Sequence, residues 1–98
     1  MYERLVALEV VDERGYQTYR DAMTPILEKH GGTFGYDFRV SEVLKSEADH
    51  RINRVFTIRF PDQETSELFF ASDEYREVRK NYFDPAVEGI TVIAAYRR

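Results

Sequence analysis

Apolar and polar residues alternate along four segments of the chain, and this period of two predicts four β-strands. Residues 2–11 are rich in β-forming residues and predict the first strand. Alternation that begins at Phe34 predicts a second strand ending near Leu44, and residues 52–60 predict a third. A fourth strand is expected at residues 90–96, directly after Gly89.

Apolar residues at helical spacing predict a long helix after the first strand. Asp12 stands at its N-cap position, and the pattern continues to about His30, where Gly31-Gly32 supplies a left-handed stop. Pro25 lies inside this helix and predicts a kink one turn earlier, because proline removes one backbone hydrogen bond.

Two shorter helices are predicted in the second half, capped by Asp62 and Ser72. Phe60-Pro61 closes the third strand, and Asp84-Pro85 ends the last helix because the residue before a proline disfavours helical backbone. The order is βαββαβ over residues 1–98, which we interpret as one domain. Right-handed crossovers fold this order into a ferredoxin-like α+β domain. Its four-stranded antiparallel sheet has the order 4-1-3-2, with the helices on one face.

Composition narrows the classes of function. Hydrophobic residues make up 43% of the 98 residues, enough for a packed core. The formal net charge of −4 argues against nucleic-acid binding, which needs a basic face. The longest apolar run, residues 92–96, is too short to cross a membrane. No cysteine is present, and the first residues do not resemble a signal peptide, so we expect a cytoplasmic protein without thiolate chemistry.

The sheet face that the helices leave bare is predicted to be apolar, because strands 1 and 4 carry apolar residues on both faces. Such a face on a small protein usually marks an interface. A chain of this size also buries only about 60–65% of its unfolded surface by itself. We therefore expect a homodimer whose sheets face each other. The alternative is a monomer with scattered exposed aliphatic residues.

Four charged residues are candidates for a ligand site beside this bare face. Alternation on strand 3 places Phe60 toward the helices and Arg59 toward the bare face. Asp37 and Arg39 share one side of strand 2, and Glu9 is a further candidate on strand 1. Buried charges must be paired or solvated, so this cluster is either a structural ion-pair network or a site for a small anionic or polar molecule. One β-bulge would reverse the assignment of faces.

Neither histidine predicts a catalytic or metal site. His30 ends the first helix and is expected to cap or pack there. His50 lies beside Asp49 and Glu47 in a loop, and adjacent loop residues rarely complete a metal shell. No serine stands in a nucleophile-elbow context. We therefore expect no metal and no cofactor.

A set of short motifs across nearly the whole chain resembles the DUF1330 family. In order, the motifs are Tyr16-x-x-Tyr19, Pro25-Ile26-Leu27 with Gly31-Gly32, Glu42-Val43-Leu44, Phe60-Pro61 and Ser72-x-Glu74-Tyr75. The resemblance implies a ferredoxin-like protomer of the dimeric α+β barrel superfamily, with no assigned activity. Because that superfamily includes cofactor-free monooxygenases, small isomerases, haem-degrading enzymes and regulatory ligand-binding domains, the fold does not determine the function.

The chain departs from the family pattern at two points. Arg59 stands where the family carries an acidic residue before Phe-Pro, which implies a reversed charge in the predicted pocket, and Lys45-Ser46 replaces a glycine. Three functions stay open. The first, favoured by the missing catalytic constellation, is a dimer that binds a small polar or anionic molecule. The others are a cofactor-free enzyme acting on a small aromatic or acidic metabolite, and a structural interaction subunit.

Overall fold

The structure, a computed structural model, describes residues 1–98 as an antiparallel four-stranded sheet with helices packed on one face. The strands lie in the order β2-β3-β1-β4, which is the predicted order read from the other edge. The strands are β1 (Tyr2–Val10), β2 (Thr33–Arg39), β3 (Arg54–Phe60) and β4 (Val87–Arg97). The helices are α1 (Glu13–Lys29), α2 (Gln63–Ala71) and α3 (Asp73–Val78), and α3 continues into a π-helical turn, Arg79–Phe83. The predicted ferredoxin-like α+β fold is confirmed.

The three predicted helix caps are confirmed. The side chain of Asp12 accepts a hydrogen bond from the backbone of α1, and Asp62 and Ser72 do the same for α2 and α3. Each cap satisfies a backbone N–H that has no partner within its helix. The helix α1 continues through Pro25 to Lys29. Gly31 then turns the chain at φ +74°, a conformation that favours glycine.

Three predicted strand boundaries were wrong. The strand β2 ends at Arg39 rather than near residue 44, and β3 begins at Arg54 rather than at residue 52. The physical reason lies at Asn53, whose side-chain amide donates to the carbonyl of Val10 and whose side-chain oxygen accepts from the amide of Val10. Because the side chain of Asn53 pairs with Val10, the regular backbone ladder of β3 begins at the next residue, Arg54. The strand β4 begins three residues earlier than predicted, at Val87, because it pairs with β1 as far as Val10.

The core lies between the sheet and the helices. Its largest fully buried side chains are Tyr16, Phe60, Phe69, Leu8, Met23 and Leu27. The strand β1 supplies alternate residues to this layer, among them Val6 and Leu8, as the period of two requires. None of the helices has the length and hydropathy that a membrane crossing would need.

Three register shifts interrupt this alternation, one in β2 and two in β4, and one of the two in β4 lies opposite Glu9 and Val10. In β2, Phe34 pairs with Ile58 but Asp37 pairs with Phe56, so Gly35 and Tyr36 together oppose Thr57. In β4 the register shifts in the same way opposite Leu5 and Val6. An extra residue moves every following side chain to the other face of the sheet. The bulges therefore decide which charges meet the helices and which meet the bare face.

Candidate functional site

A cavity of about 440 Å³ lies between the sheet and the helices. All four strands contribute to its floor, β2 through Phe34 alone, while α1 forms one wall and α2, α3 and the π-helical turn form the other. Its walls are mostly apolar and rich in aromatic rings, including Phe56, Phe70, Tyr16, Tyr19, Tyr75 and Phe83. Concave, largely apolar spaces of this size that contain a few polar groups are typical of small-molecule sites.

The cavity opens beside the edge strand β4. Ile90 and Val92 are on the helix side of this strand, yet they are 46% and 47% exposed. The helix α3 is only six residues long and passes into the π-helical turn, so the helical layer leaves this side of β4 uncovered. Both Arg79, the first residue of that turn, and Phe83, the last, line the cavity. Single π-helical turns of this kind occur frequently at functional sites.

Two tyrosine hydroxyls meet in the wall of the cavity. The Oη atoms of Tyr19 and Tyr75 are 2.8 Å apart, and both residues are buried. Burial raises the pKa of Tyr75 and raises that of Tyr19 well above its ordinary value. Both phenols are therefore neutral at physiological pH. One hydroxyl donates to the other, and the pair can present a further hydrogen-bonding group to the cavity.

Arg4 brings a positive charge to the cavity from β1. Its Nε donates to the hydroxyl of Tyr2 at 3.2 Å, and its guanidinium carbon lies 4.7 Å from the ring centre of Phe70. This half-buried side chain has no carboxylate within 4.0 Å, and its two terminal nitrogens have no hydrogen-bond partner. Arg4 is thus free to bind an anion.

Arg20 reaches the cavity from α1, but its charge is neutralised. Its Nε donates to the hydroxyl of Tyr16 at 2.7 Å, and its Nη1 lies 3.2 Å from the carboxylate of Asp37. Arg54 binds the same carboxylate through Nε and Nη2, at 2.8 and 2.9 Å. Burial alone would raise the pKa of Asp37, but hydrogen bonds from Arg54 and the charges of both arginines outweigh it, so its pKa is lowered. This network fixes the inner end of the cavity.

Three arginines and one acidic residue line the cavity, namely Arg4, Arg20, Arg79 and Glu67. Arg20 is paired with Asp37, and Nε of Arg79 lies 3.6 Å from the carboxylate of Asp84. Arg4 is therefore the cation in this lining whose charge is available to an anionic occupant.

A second charged cluster lies on the bare face of the sheet, around Glu3. This residue is only 3% exposed, and it accepts hydrogen bonds from Tyr96 Oη and Arg59 Nε, both at 2.5 Å. Arg98 adds a contact at 3.3 Å. The hydrogen bonds from Tyr96 and Arg59 lower the pKa of Glu3 despite its burial. Three side chains therefore bind this carboxylate, and Glu3 does not line the cavity between the sheet and the helices.

The four residues predicted from the sequence do not come together, so the predicted cluster was wrong. Arg59 pairs with Glu3, and Asp37 is turned by the bulge toward Arg20 and Arg54 on the helix side. Arg39 is largely exposed, with only Glu13 at 4.0 Å. Glu9 lies opposite Gly89 and forms no ion pair. The ligand-binding role of these four residues stays a prediction.

Sequence reasoning missed Arg4, Arg20 and the tyrosine pair as site residues. The signal for Arg4 was present, because it alternates with Tyr2 and Val6 on the face of β1 that enters the core. Arg20 also lies four residues after Tyr16 on the buried stripe of α1. A charged residue within an apolar stripe is therefore the pattern that would have indicated this cavity.

The two histidines lie outside the cavity. The Nδ1 of His30 hydrogen-bonds the carbonyl of Ile26, and its ring packs edge-on against Phe69, with ring centres 5.5 Å apart. His50 lies over Gly89 on the bare face, where its Nε2 contacts the hydroxyl of Thr91 at 2.7 Å. Both rings contribute to packing.

Solved structures share this fold at low sequence identity. The RPA0582 protein of unknown function from Rhodopseudomonas palustris matches with a TM-score of 0.82 and 19% identity, over 99% of this chain and 81% of that one. A dabb family protein with a ferredoxin-like fold from Mesorhizobium loti has a TM-score of 0.68 and 17% identity, with 99% and 95% covered. A dimeric ferredoxin-like protein of unknown function from Jannaschia sp. CCS1 has a TM-score of 0.61 and 18% identity, with 99% and 98% covered.

These likenesses show the fold, and one of these relatives is described as dimeric. The comparison with curated proteins gave no significant match. A family profile described as "Domain of unknown function (DUF1330)" matches residues 4–96. Because this match covers almost the whole chain, the protein belongs to the DUF1330 family.

Proposed function

We propose that this protein binds a small molecule carrying a polar or anionic group, and that it does so in the cavity between the helices and the sheet. The observation that carries the proposal is the unpaired guanidinium of Arg4 in an otherwise apolar, aromatic cavity of about 440 Å³. The terminal nitrogens of Arg4 are open to solvent rather than paired within the protein, so an anionic ligand in the cavity can replace water as their partner.

The alternative of a cofactor-free enzyme has one supporting feature, the Tyr19–Tyr75 pair, which can hydrogen-bond a substrate oxygen. The lining contains no histidine, and its one carboxylate, on Glu67, belongs to an exposed residue. General acid–base chemistry needs a proton acceptor positioned within reach of the reacting atom. Binding is therefore the function that the geometry supports best.

A cavity-filling variant tests the proposal. Val92→Trp places an indole at the mouth, whereas Leu68→Trp puts the same group on an exposed part of α2 that does not line the cavity. We expect ligand-observed NMR with a mixture of small aromatic acids and their neutral analogues to detect binding to the wild type and Leu68→Trp, but not to Val92→Trp. Binding that survives in Val92→Trp, or is absent from the wild type, contradicts the proposal.

We further propose that the protein is a homodimer formed through the bare face of the sheet. Tyr36 and Phe38 stack on each other there, with ring centres 5.9 Å apart, and they are 60% and 54% exposed. Ile93 adds a further exposed apolar side chain on β4. An apolar surface of this kind is typical of a protein interface.

Light scattering after gel filtration tests the dimer. We expect a mass of twice the 11.6 kDa of one chain for the wild type. Phe38→Glu should shift the protein toward the monomer, because it would bury a charge in the interface. Leu68→Glu alters an equally exposed residue on a helix and should remain dimeric. A monomeric wild type would contradict this part of the proposal and leave the cavity proposal standing.

A further inference from the structure

Two places in the cavity offer polar groups to a ligand, whereas Arg20 and Arg79 in the same lining are paired with carboxylates of the protein. Arg4 lies on β1 against Phe70 of α2, and the hydroxyls of Tyr19 and Tyr75 meet where α1 and α3 face each other. Between them the lining is formed by apolar and aromatic side chains such as Val6 and Ile58. A ligand that satisfies both places needs an anionic end, a flat apolar body and a second oxygen or similar polar atom.

The arginine has a geometry that selects carboxylates. Its Nε is occupied by Tyr2, which leaves the two terminal nitrogens side by side and unpartnered. Two parallel N–H groups match the two oxygens of a carboxylate and form a bidentate, charge-assisted pair. The ring of Phe70, 4.7 Å from the guanidinium carbon, holds the plane of the fork in place.

Glu67 limits the charge that this end of the cavity accepts. It lies one helical turn before Phe70 on α2 and lines the same cavity, but it is more than 4.0 Å from the guanidinium of Arg4. Residues three apart share one face of a helix. Its carboxylate would repel a second negative charge at this end of the ligand, so the site discriminates against acids with two adjacent carboxylates.

The volume sets the size of the ligand. A cavity of about 150 Å³ admits benzene, so about 440 Å³ accommodates a body of one or two fused rings with its substituents. From these observations, and resting on the proposed function above, we infer that the ligand is an aromatic monocarboxylic acid. Arg4 binds its carboxylate, and the Tyr19–Tyr75 pair binds a polar substituent at its far end.

A comparison of isosteric probes tests this inference. The probes are 2-naphthoate, the neutral 2-naphthalenemethanol and the dianion 2,3-naphthalenedicarboxylate, whose two carboxylates lie at the same end, titrated into the wild-type protein at pH 7 and followed by ¹H–¹⁵N NMR. Because hydrogen bonds to charged groups contribute more than neutral ones, we expect 2-naphthoate to bind about tenfold or more tightly than the alcohol. The dianion should bind more weakly than the monoanion.

Matched variants locate the effect. The Arg4→Gln variant should lose the preference for the acid while still binding the alcohol. The control Arg51→Gln makes the same change of charge at an exposed residue outside the cavity, and it should keep the preference for the acid. Because the probe comparison uses the unaltered protein, it holds even where Arg4→Gln fails to fold.

The outcomes separate the two proposals. Equal affinity for the acid and the alcohol overturns the inference and leaves the cavity as a binding site. A preference for the acid that persists in a folded Arg4→Gln protein also overturns it. Failure of all three probes to bind overturns the inference for this class of ligand, and the proposed function is judged separately by the Val92→Trp comparison.

Discussion

Replacing Asp37 by asparagine is the sharpest test of the bulge in β2, because it removes the charge that two buried arginines share. The side chains of Arg20 and Arg54 are each 10% exposed, and both bind this one carboxylate. Removing one partner from a buried ion pair costs about 3–5 kcal/mol. The side chain of Asp37 is 33% exposed and Glu13 lies 3.8 Å from Arg54, so we expect a loss somewhat below this range, about 2–3 kcal/mol.

Urea unfolding at pH 7, followed by far-ultraviolet circular dichroism, measures this loss of free energy, and thermal unfolding followed by the same signal measures the change in Tm. For a domain of this size, a loss of 2–3 kcal/mol lowers Tm by roughly 10–20 °C. The control is Asp21→Asn on α1, an exposed carboxylate whose hydrogen-bond partner is Gln17, and its effect should stay within about 0.5 kcal/mol. If Asp37→Asn behaves like Asp21→Asn, then Asp37 faces solvent and the bulge is refuted.

The same variant makes a prediction about pH. The pKa of Asp37 is lowered in the folded protein, so the ion pairs stabilise the fold above the ordinary carboxyl pKa of 3.8. This contribution is lost as the pH falls through the lowered folded pKa. The difference in unfolding free energy between wild type and Asp37→Asn should therefore be constant near neutral pH and shrink in acid. A difference that stays constant throughout the acid range would show that the carboxylate charge is not its cause.

Three further predictions concern single contacts. Tyr19→Phe and Tyr75→Phe should each lower the unfolding free energy by about 1 kcal/mol, and the double variant by less than the sum, because each single change leaves one hydroxyl unpaired; an additive double-mutant cycle would argue against the pair. Gly31→Ala should cost about 1 kcal/mol at φ +74°, and Gly31→Asn less, because asparagine tolerates this conformation better; equal losses in denaturant titrations would contradict the argument. Glu3→Gln should lower Tm at pH 7, and its difference from the wild type should shrink in acid because the folded pKa of Glu3 is lowered; a pH-independent difference would count against the ion pairs.

Much of the fold followed from local signals in the sequence. Helix caps and helix-ending turns involve residues within one helical turn, so they can be predicted from the local sequence alone. This was so for the caps at Asp12 and Ser72 and for the turn at Gly31. The strand order followed from the element order and the handedness of crossovers. These features depend on neighbours in the chain, which is why the sequence was sufficient for them.

The charged site could not be predicted because it depends on parity along β2. If β2 alternated strictly, Asp37 and Arg39 would both lie on the bare face of the sheet, where Arg59 lies. The bulge at Gly35 and Tyr36 reverses that parity, so Asp37 meets Arg54 instead. Apart from a glycine, which has other uses in strands, nothing local in the sequence marks the insertion. The partner that makes it favourable, Thr57, whose hydroxyl accepts from Tyr36 N, lies on another strand.

The presence or absence of a carboxylate partner distinguishes the arginines that stabilise the fold from the one that is suited to binding a ligand. Three buried or partly buried arginines each bind a carboxylate within the protein, namely Arg20, Arg54 and Arg59. Arg4 occupies a comparable half-buried position on the helix side of the sheet, but only a neutral phenol and an aromatic ring approach it. Solvation and pairing are the two ways to stabilise a withdrawn charge, and the fold supplies a carboxylate for three of the four guanidiniums. The fourth opens onto a cavity, where a bound acid would complete the same arrangement.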